Sequence, residues 1–302
     1  MTGAWGSGRR APPFMNIQQK SVRAWLALLC IFSPLLAAAA DPPAARVAAK
    51  LLTIGNSFAD NSTHFLPQLA TAGGKTLVLF RANLGGHSLQ QHAGYLQAFE
   101  ADPKDPKGSP YQVKVDPATG QKKGQSLREA LASAPWDFVT IQQVSQLSPL
   151  PETYQPYAGI LVAYIHRYAP QAKILIHETW AYPDDCPRYK DAKLPYLKNP
   201  QVMYQGVKAA YAKLSADTGL GVLPVGDAFH AVLTGPDPLR LHRKADIHAN
   251  SNGEYLGAAV FYEMIYGEPV AATSYLPPGV SAEDAARLRE TAHATVTQAA
   301  KN

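Results

Sequence analysis

Two rhythms of apolar residues alternate along this chain. Continuous apolar runs at Lys50–Ile54, Thr76–Leu84, Trp136–Gln142, Ala172–Thr179 and Gly221–Val225 read as strands buried in a sheet. Between them the spacing lengthens to that of helices. The first covers about Ser62–Ala72, with Phe65, Leu66 and Leu69 on its apolar face, and the second Ser88–Glu100. Ser126 caps a short helix, and Thr153–Tyr168 forms another that ends before Pro170. Gln201–Thr218 and Asn252–Tyr266 follow, and Ser281-Ala282-Glu283-Asp284 starts a final amphipathic helix.

Strands that alternate with helices predict a parallel sheet covered on both faces. The fold class is therefore α/β, a three-layer α/β/α sandwich with a five-stranded parallel flavodoxin-like sheet. Two stretches break the rhythm. Residues 102–125 are rich in Pro, Lys, Asp and Gly, with two short alternating pieces around Pro117–Gly120, and read as a hairpin-like surface insertion. Trp180–Pro200 is a long irregular loop carrying Trp180, Tyr182, Tyr189 and Tyr196. In sheets of this kind ligands bind beyond the carboxyl ends of the strands. Ser57, Gly85, Gly86, Gln142 and Trp180 all fall at such ends.

The first 40 residues change the picture of charge and location. Arg9, Arg10, Lys20 and Arg23 precede or open an apolar run, Ala24–Leu36, which ends in Ala37–Ala40. This is the pattern of a secretory signal peptide, cleaved near Ala38–Ala40, and it predicts an exported protein, periplasmic or secreted, without stable membrane insertion afterwards. Residues 41–302 then form one domain. The formal charge of +5 drops to about +1 once the four basic residues of the leader are removed, so no basic stripe remains for nucleic acid. Cys186 is then the one cysteine left, so a core rather than an internal disulfide must stabilise the chain. The histidines are scattered without metal-ligand spacing, and neither metal nor cofactor is expected.

The chemistry concentrates in short blocks. Gly55-Asn56-Ser57 lies on a strand-to-helix turn, where an α/β enzyme can present a serine nucleophile. Asp246-Ile247-His248 lies just before a late helix. His248 can take the serine proton there, and Asp246 can hold the imidazole through Nδ1. Ser251 and Glu254 have capping-box spacing for that helix. Gly85-Gly86 can offer a backbone N–H to an oxyanion, and Gln142 or Gln143 a side-chain amide. Trp180 and Tyr182 are candidates for a substrate wall that stacks on a sugar ring or covers an acyl group.

The order Gly-Asn-Ser, Gly-Gly-His-Ser-Leu, a polar amide after Trp-Asp-Phe-Val-Thr-Ile, and Asp-x-His resembles the SGNH (GDSL-like) hydrolase superfamily, and its carbohydrate-esterase-like branch in particular. The resemblance implies Ser57 as nucleophile, His248 as base, and an oxyanion hole of Ser57, Gly86 and Gln142. Asn56, Gly85, Gln143, Trp180 and Tyr182 would then line the substrate site. Three departures stand out. Asn56 occupies a position where many members carry Asp, and glutamine stands where asparagine is usual. The acid expected three residues before the histidine is Ala245, which leaves Asp246, a Ser–His dyad oriented by a backbone carbonyl, or Glu178 as alternatives. The activity implied is a serine esterase acting on a small-molecule or polysaccharide ester, with O-acetyl or short acyl groups on carbohydrate favoured. The rival expectations are a lipase- or thioesterase-like acyl hydrolase, and a carbohydrate-binding protein on a decayed hydrolase fold.

Overall fold

The structure, a computed structural model, describes residues 46–115 and 122–301. The expected signal segment and the turn Pro117–Gly120 lie outside those residues. The five expected strands form one sheet. β1 (Ala48–Gly55), β2 (Thr76–Asn83), β5 (Phe138–Ile141), β6 (Lys173–His177) and β7 (Gly221–Leu223) run parallel in the order β2-β1-β5-β6-β7. A separate antiparallel pair, β3 (Tyr111–Val115) and β4 (Lys122–Gln125), makes up the insertion.

β1 is flanked on both sides, with Ile54 opposite Ala82 of β2 and Ile141 of β5. Leu51, Leu52, Thr53 and Ile54 are all buried, which explains why this strand reads as a continuous apolar run rather than an alternation. The chain leaves β1 toward β2 and later returns past it to β5. The order of the sheet reverses there, so a crevice opens beyond the carboxyl end of β1.

Helices cover the sheet in two groups. α3 (Leu89–Ala101), α4 (Leu127–Ala132) and α5 (Tyr157–Tyr168) pack together against β2 and β5. The second group centres on α8 (Ser251–Tyr266), which touches β1 and β7. Around it lie α1 (Ser57–Ser62), α2 (Leu66–Ala72), α7 (Val225–Thr234) and α9 (Ala282–Ala299). The long α6 (Pro200–Thr218) packs against α7 and β7. α8 is buried almost all round, as a central helix must be. Its Gly257 lets α1 come close: a Cβ built there would stand 2.9 Å from Ser62 Cα.

Four boundaries differ from expectation. The helix expected over Ser62–Ala72 is two helices, because Asn56 starts α1 early by accepting from Phe58 N–H, and Arg81 then takes the Thr63 carbonyl at 2.8 Å. α5 begins at Tyr157 rather than Thr153, after a single tight turn at Pro151–Thr153. The cap of α8 is Asn250, whose side chain accepts from Gly253 N–H at 3.1 Å. Ser251 is already helical, and Glu254 bonds elsewhere. α7 has no counterpart in the sequence reading. Its buried Val225, Ala228, Phe229 and Val232 do carry the i, i+3, i+4, i+7 spacing of a helix, hidden there behind a strand expected to end at Val225.

The α1–α8 approach yields a prediction with a diagnostic sign. Glycine to alanine in an open helix stabilises by about 0.5–1 kcal/mol. Gly257→Ala is expected instead to destabilise by about 1–3 kcal/mol, as overpacking does, and to lower the thermal midpoint in a calorimetric scan.

Candidate active site

Asn56 ends β1 and caps α1, which puts Ser57 at the first helical position, over the crevice. The Asn56 side chain does three jobs. Its oxygen accepts from Phe58 N–H at 3.1 Å, and its Nδ2 donates to the carbonyls of His87 and Gln143, each at 3.2 Å. One amide thereby ties together the loops that follow β1, β2 and β5. Aspartate could not make the last two bonds, since a carboxylate has no N–H to offer them. The geometry thus explains the amide at a position where related enzymes often carry an acid.

His248 stands on a loop folded back on itself. Asn250 N–H bonds the Leu241 carbonyl, and Arg243 N–H bonds the His248 carbonyl at 2.9 Å. At the tip Ala245 takes a left-handed backbone, φ 51°, uncommon for a residue with a side chain. The reversal brings Asp246 to the ring. Ser57 Oγ lies 2.9 Å from His248 Nε2, and His248 Nδ1 lies 2.9 Å from Asp246 Oδ1, which also accepts His248 N–H at 3.3 Å. With Nδ1–H donating to the carboxylate, Nε2 is free to accept from the serine hydroxyl. Partial burial pushes the Asp246 carboxyl up, but the bonds from the His248 ring and backbone outweigh it and hold the group below its ordinary value. The acid is therefore charged at neutral pH.

Two struts join the segments that carry Ser57 and His248. Trp180 is sandwiched between Phe58, at 4.0 Å and 6° between planes, and Phe229, at 4.4 Å. Its indole N–H donates to the Ile247 carbonyl at 3.0 Å. Asn61, one turn along α1 from Ser57, accepts from Ala249 N–H at 3.3 Å and donates to Glu254 Oε1 at 2.9 Å. Behind the strand end, His92 Nε2–H donates to the Gly55 carbonyl at 2.9 Å, while Tyr111 of the insertion donates to His92 Nδ1 at 2.7 Å. Burial pulls the His92 imidazole down to about 4, so it is neutral and fixed in this tautomer.

A cleft of about 310 Å³ opens over this relay. Ser57, Asn56, Gly85, Gly86, Ile247 and His248 line it, with Val144, Ser145 and Gln146 after β5 and Arg188 from the long loop. Gly86 has φ 73°, open to glycine. The backbone N–H groups of Ser57 and Gly86 bond no partner among the described residues. Asn61, His92, Val144, Ser145, Gln146 and Arg188 were not anticipated. No local spacing marks them: Asn61 and His92 act through partners distant in sequence, and the other four line the cleft only once the chain is folded.

Several expected site residues lie elsewhere. Gln142 turns down beneath Gly55, 1% exposed, with Nε2 2.8 Å from His177 Nδ1, so its amide is not offered to the cleft. Gln143 is fully engaged: its oxygen accepts from Leu89 and Val144 N–H, and its nitrogen donates to Thr153. Trp180 and Tyr182 are both 0% exposed and form no substrate wall. Tyr182 instead bonds Ser145 Oγ at 2.9 Å, behind the cleft. Glu178 is no triad acid. Its Oε2 accepts Asp227 N–H at 2.9 Å at the start of α7, beside a separate cavity of about 900 Å³ between α6, α7 and α9. Burial, reinforced by the Asp227 charge, pushes its carboxyl up to about 8. Among the described residues no three His, Cys, Asp or Glu side chains assemble a metal cage.

Two predictions follow from this placement. Trp180→Phe keeps an aromatic ring but leaves the Ile247 carbonyl unpaired, so kcat should fall about 10- to 100-fold with KM little changed, read by steady-state kinetics well below the melting temperature. For Glu178, the folded state holds a proton that the unfolded state, with its carboxyl near 4.5, has released by neutral pH. Stability should therefore decline as pH rises from about 4.5 to about 8. Glu178→Gln should flatten this dependence of the thermal midpoint on pH.

Comparison with known proteins agrees with the fold. The family described as a domain of unknown function, DUF4886, matches residues 50–295. A crystal structure of a DUF4886 family protein from Bacteroides uniformis shares 25% identity with a TM-score of 0.71, over 83% of this chain and 95% of that one. A protein from Slackia heliotrinireducens assigned to the SGNH hydrolases shares 25% identity with a TM-score of 0.50, over 72% of this chain and 98% of that one. No curated protein matches. Its match over residues 50–295, its fold and the ordered blocks around Ser57 and His248 make this chain a member of the DUF4886 family within the SGNH (GDSL-like) hydrolases.

Proposed function

We propose that this serine ester hydrolase removes short acyl groups, O-acetyl groups on carbohydrate foremost, outside the cytoplasm. The observation that carries the mechanism is the unbroken relay Ser57–His248–Asp246, with both links at 2.9 Å. As Ser57 Oγ attacks the ester carbonyl carbon, its proton passes to His248 Nε2. The Asp246 carboxylate stabilises the imidazolium that results. The carbonyl oxygen becomes an oxyanion, which in this reading accepts from the N–H groups of Ser57 and Gly86, both on residues that line the cleft. His248 then hands the proton to the leaving alcohol oxygen as the C–O bond breaks. Water, deprotonated by the same imidazole, attacks the acyl-enzyme and releases the carboxylic acid with Ser57 restored.

Three features support the finer reading. The cleft, at about 310 Å³, is at the small end for ligand sites, which suits a short acyl group. No Leu, Met, Phe or Trp side chain is among its described lining residues, so it offers no long apolar wall for a fatty acyl chain. The basic and apolar leader, Arg9–Ala40, supports export.

The test is hydrolysis of p-nitrophenyl acetate, acetylated xylan and a long-chain p-nitrophenyl ester. Short acyl esters should be preferred, and turnover confined to the long-chain ester would contradict the substrate assignment. Ser57→Ala should lower kcat at least about 10³-fold, and Asp246→Asn at least about 10²-fold. A loss below about tenfold for Asp246→Asn would mean that the pair works without its acid.

A further inference from the structure

The esterase chemistry uses His248 and neutral backbone groups, yet the cleft holds a further charge. Arg188 and His248 are the ionisable side chains on its wall among the described residues. Arg188 belongs to the tight turn Pro187–Lys190 in the long loop after β6, and its guanidinium lies 5.8 Å over the Tyr182 ring. Tyr182 is itself anchored to Ser145, another residue that lines the cleft. The cation thus lies within cation–π range of a buried aromatic.

Two acids of the neighbouring segments are committed elsewhere. Asp185 pairs with Arg240 at 2.7 Å and also accepts Ala245 N–H, and Asp246 pairs with His248. No carboxylate among the described residues lies within ion-pair distance of Arg188. A planar fork of N–H donors on a residue that lines a small reactive cleft, with no carboxylate in ion-pair distance among the described residues, is suited to an anionic group on the molecule that binds there.

We propose that Arg188 selects esters that carry an anionic group, a carboxylate or its equivalent, close to the bond Ser57 attacks. This rests on the esterase reading and sharpens it: the substrate is an acidic ester, with the charge either on the acyl part or on the alcohol part. In the carbohydrate reading this corresponds to an acylated acidic sugar, or to a sugar ester of a dicarboxylic acid.

Two matched pairs of esters distinguish the sources of charge. 4-Acetoxybenzoate against its methyl ester places the anion on the alcohol side. 4-Nitrophenyl hemiadipate against 4-nitrophenyl hexanoate places it on the acyl side. In one of the pairs the wild-type protein should favour the anion by at least about tenfold in kcat/KM, the worth of one charge-assisted contact. That preference should shrink as salt is raised. Arg188→Gln should lower the anionic-to-neutral ratio about tenfold, and Arg188→Lys should retain part of it. Equal turnover within both pairs, or a preference untouched by salt and by Arg188→Gln, would overturn the assignment and leave the esterase standing. No hydrolysis of any of the four esters would remove the esterase reading, and the Arg188 assignment with it.

Discussion

Everything at this site depends on one contact between residues 191 positions apart, the 2.9 Å bond from Ser57 to His248. A bond of that length tolerates little play, and both partners sit on loops or at a helix start. The fold meets the demand by making α8 a shared floor. Gly257 brings α1 down onto it, and Asn250 starts it immediately after the histidine loop. Trp180 and Asn61 then connect the nucleophile's helix to the base's loop directly. A net hydrogen bond contributes only about 1 kcal/mol to stability, so these struts matter less as stabilisers than as constraints on geometry.

Beneath the reacting atoms most of the polar groups are paired, and the histidines are neutral. His92 and His177, pulled down to about 4 and about 3 by burial, serve as hydrogen-bonding struts rather than as charges. With the Gln142 amide donating to its Nδ1, His177 turns Nε2–H to Ser62 Oγ at 3.2 Å, linking β5, β6 and α1. The Gln142 oxygen, buried against Gly55, is left without a partner. The insertion gains a structural meaning here. Its Tyr111 reaches inward and steadies His92, which in turn holds the Gly55 carbonyl one residue before Asn56. A surface elaboration is thereby tied to the floor of the cleft.

The sheet was legible in the sequence because β1, β5 and β6, buried on both faces, need continuous apolar runs, and the half-buried edge strands β2 and β7 carry enough apolar residues to read the same way. The pairing of Ser57 with His248 was legible because Gly-Asn-Ser and Asp-x-His fall where such a sheet presents its strand ends. What was not legible is what depends on direction. Gln142 and Gln143 end β5 as a side-chain oxyanion donor would, yet one turns under the sheet and the other clamps a loop. Trp180 and Tyr182 look like a substrate wall by composition, and burial makes them packing and positioning residues. The displaced acid reaches the ring beside a left-handed turn at Ala245, which no residue type there announces.

The central claim is that Ser57 forms the acyl-enzyme, and covalent mapping tests it most directly. The protein would be treated with a fluorophosphonate, digested, and analysed by mass spectrometry alongside loss of ester hydrolysis. The account predicts one adduct, on Ser57, appearing in step with the loss of activity. An adduct on a different serine, or hydrolysis that continues with Ser57 fully modified, would contradict it.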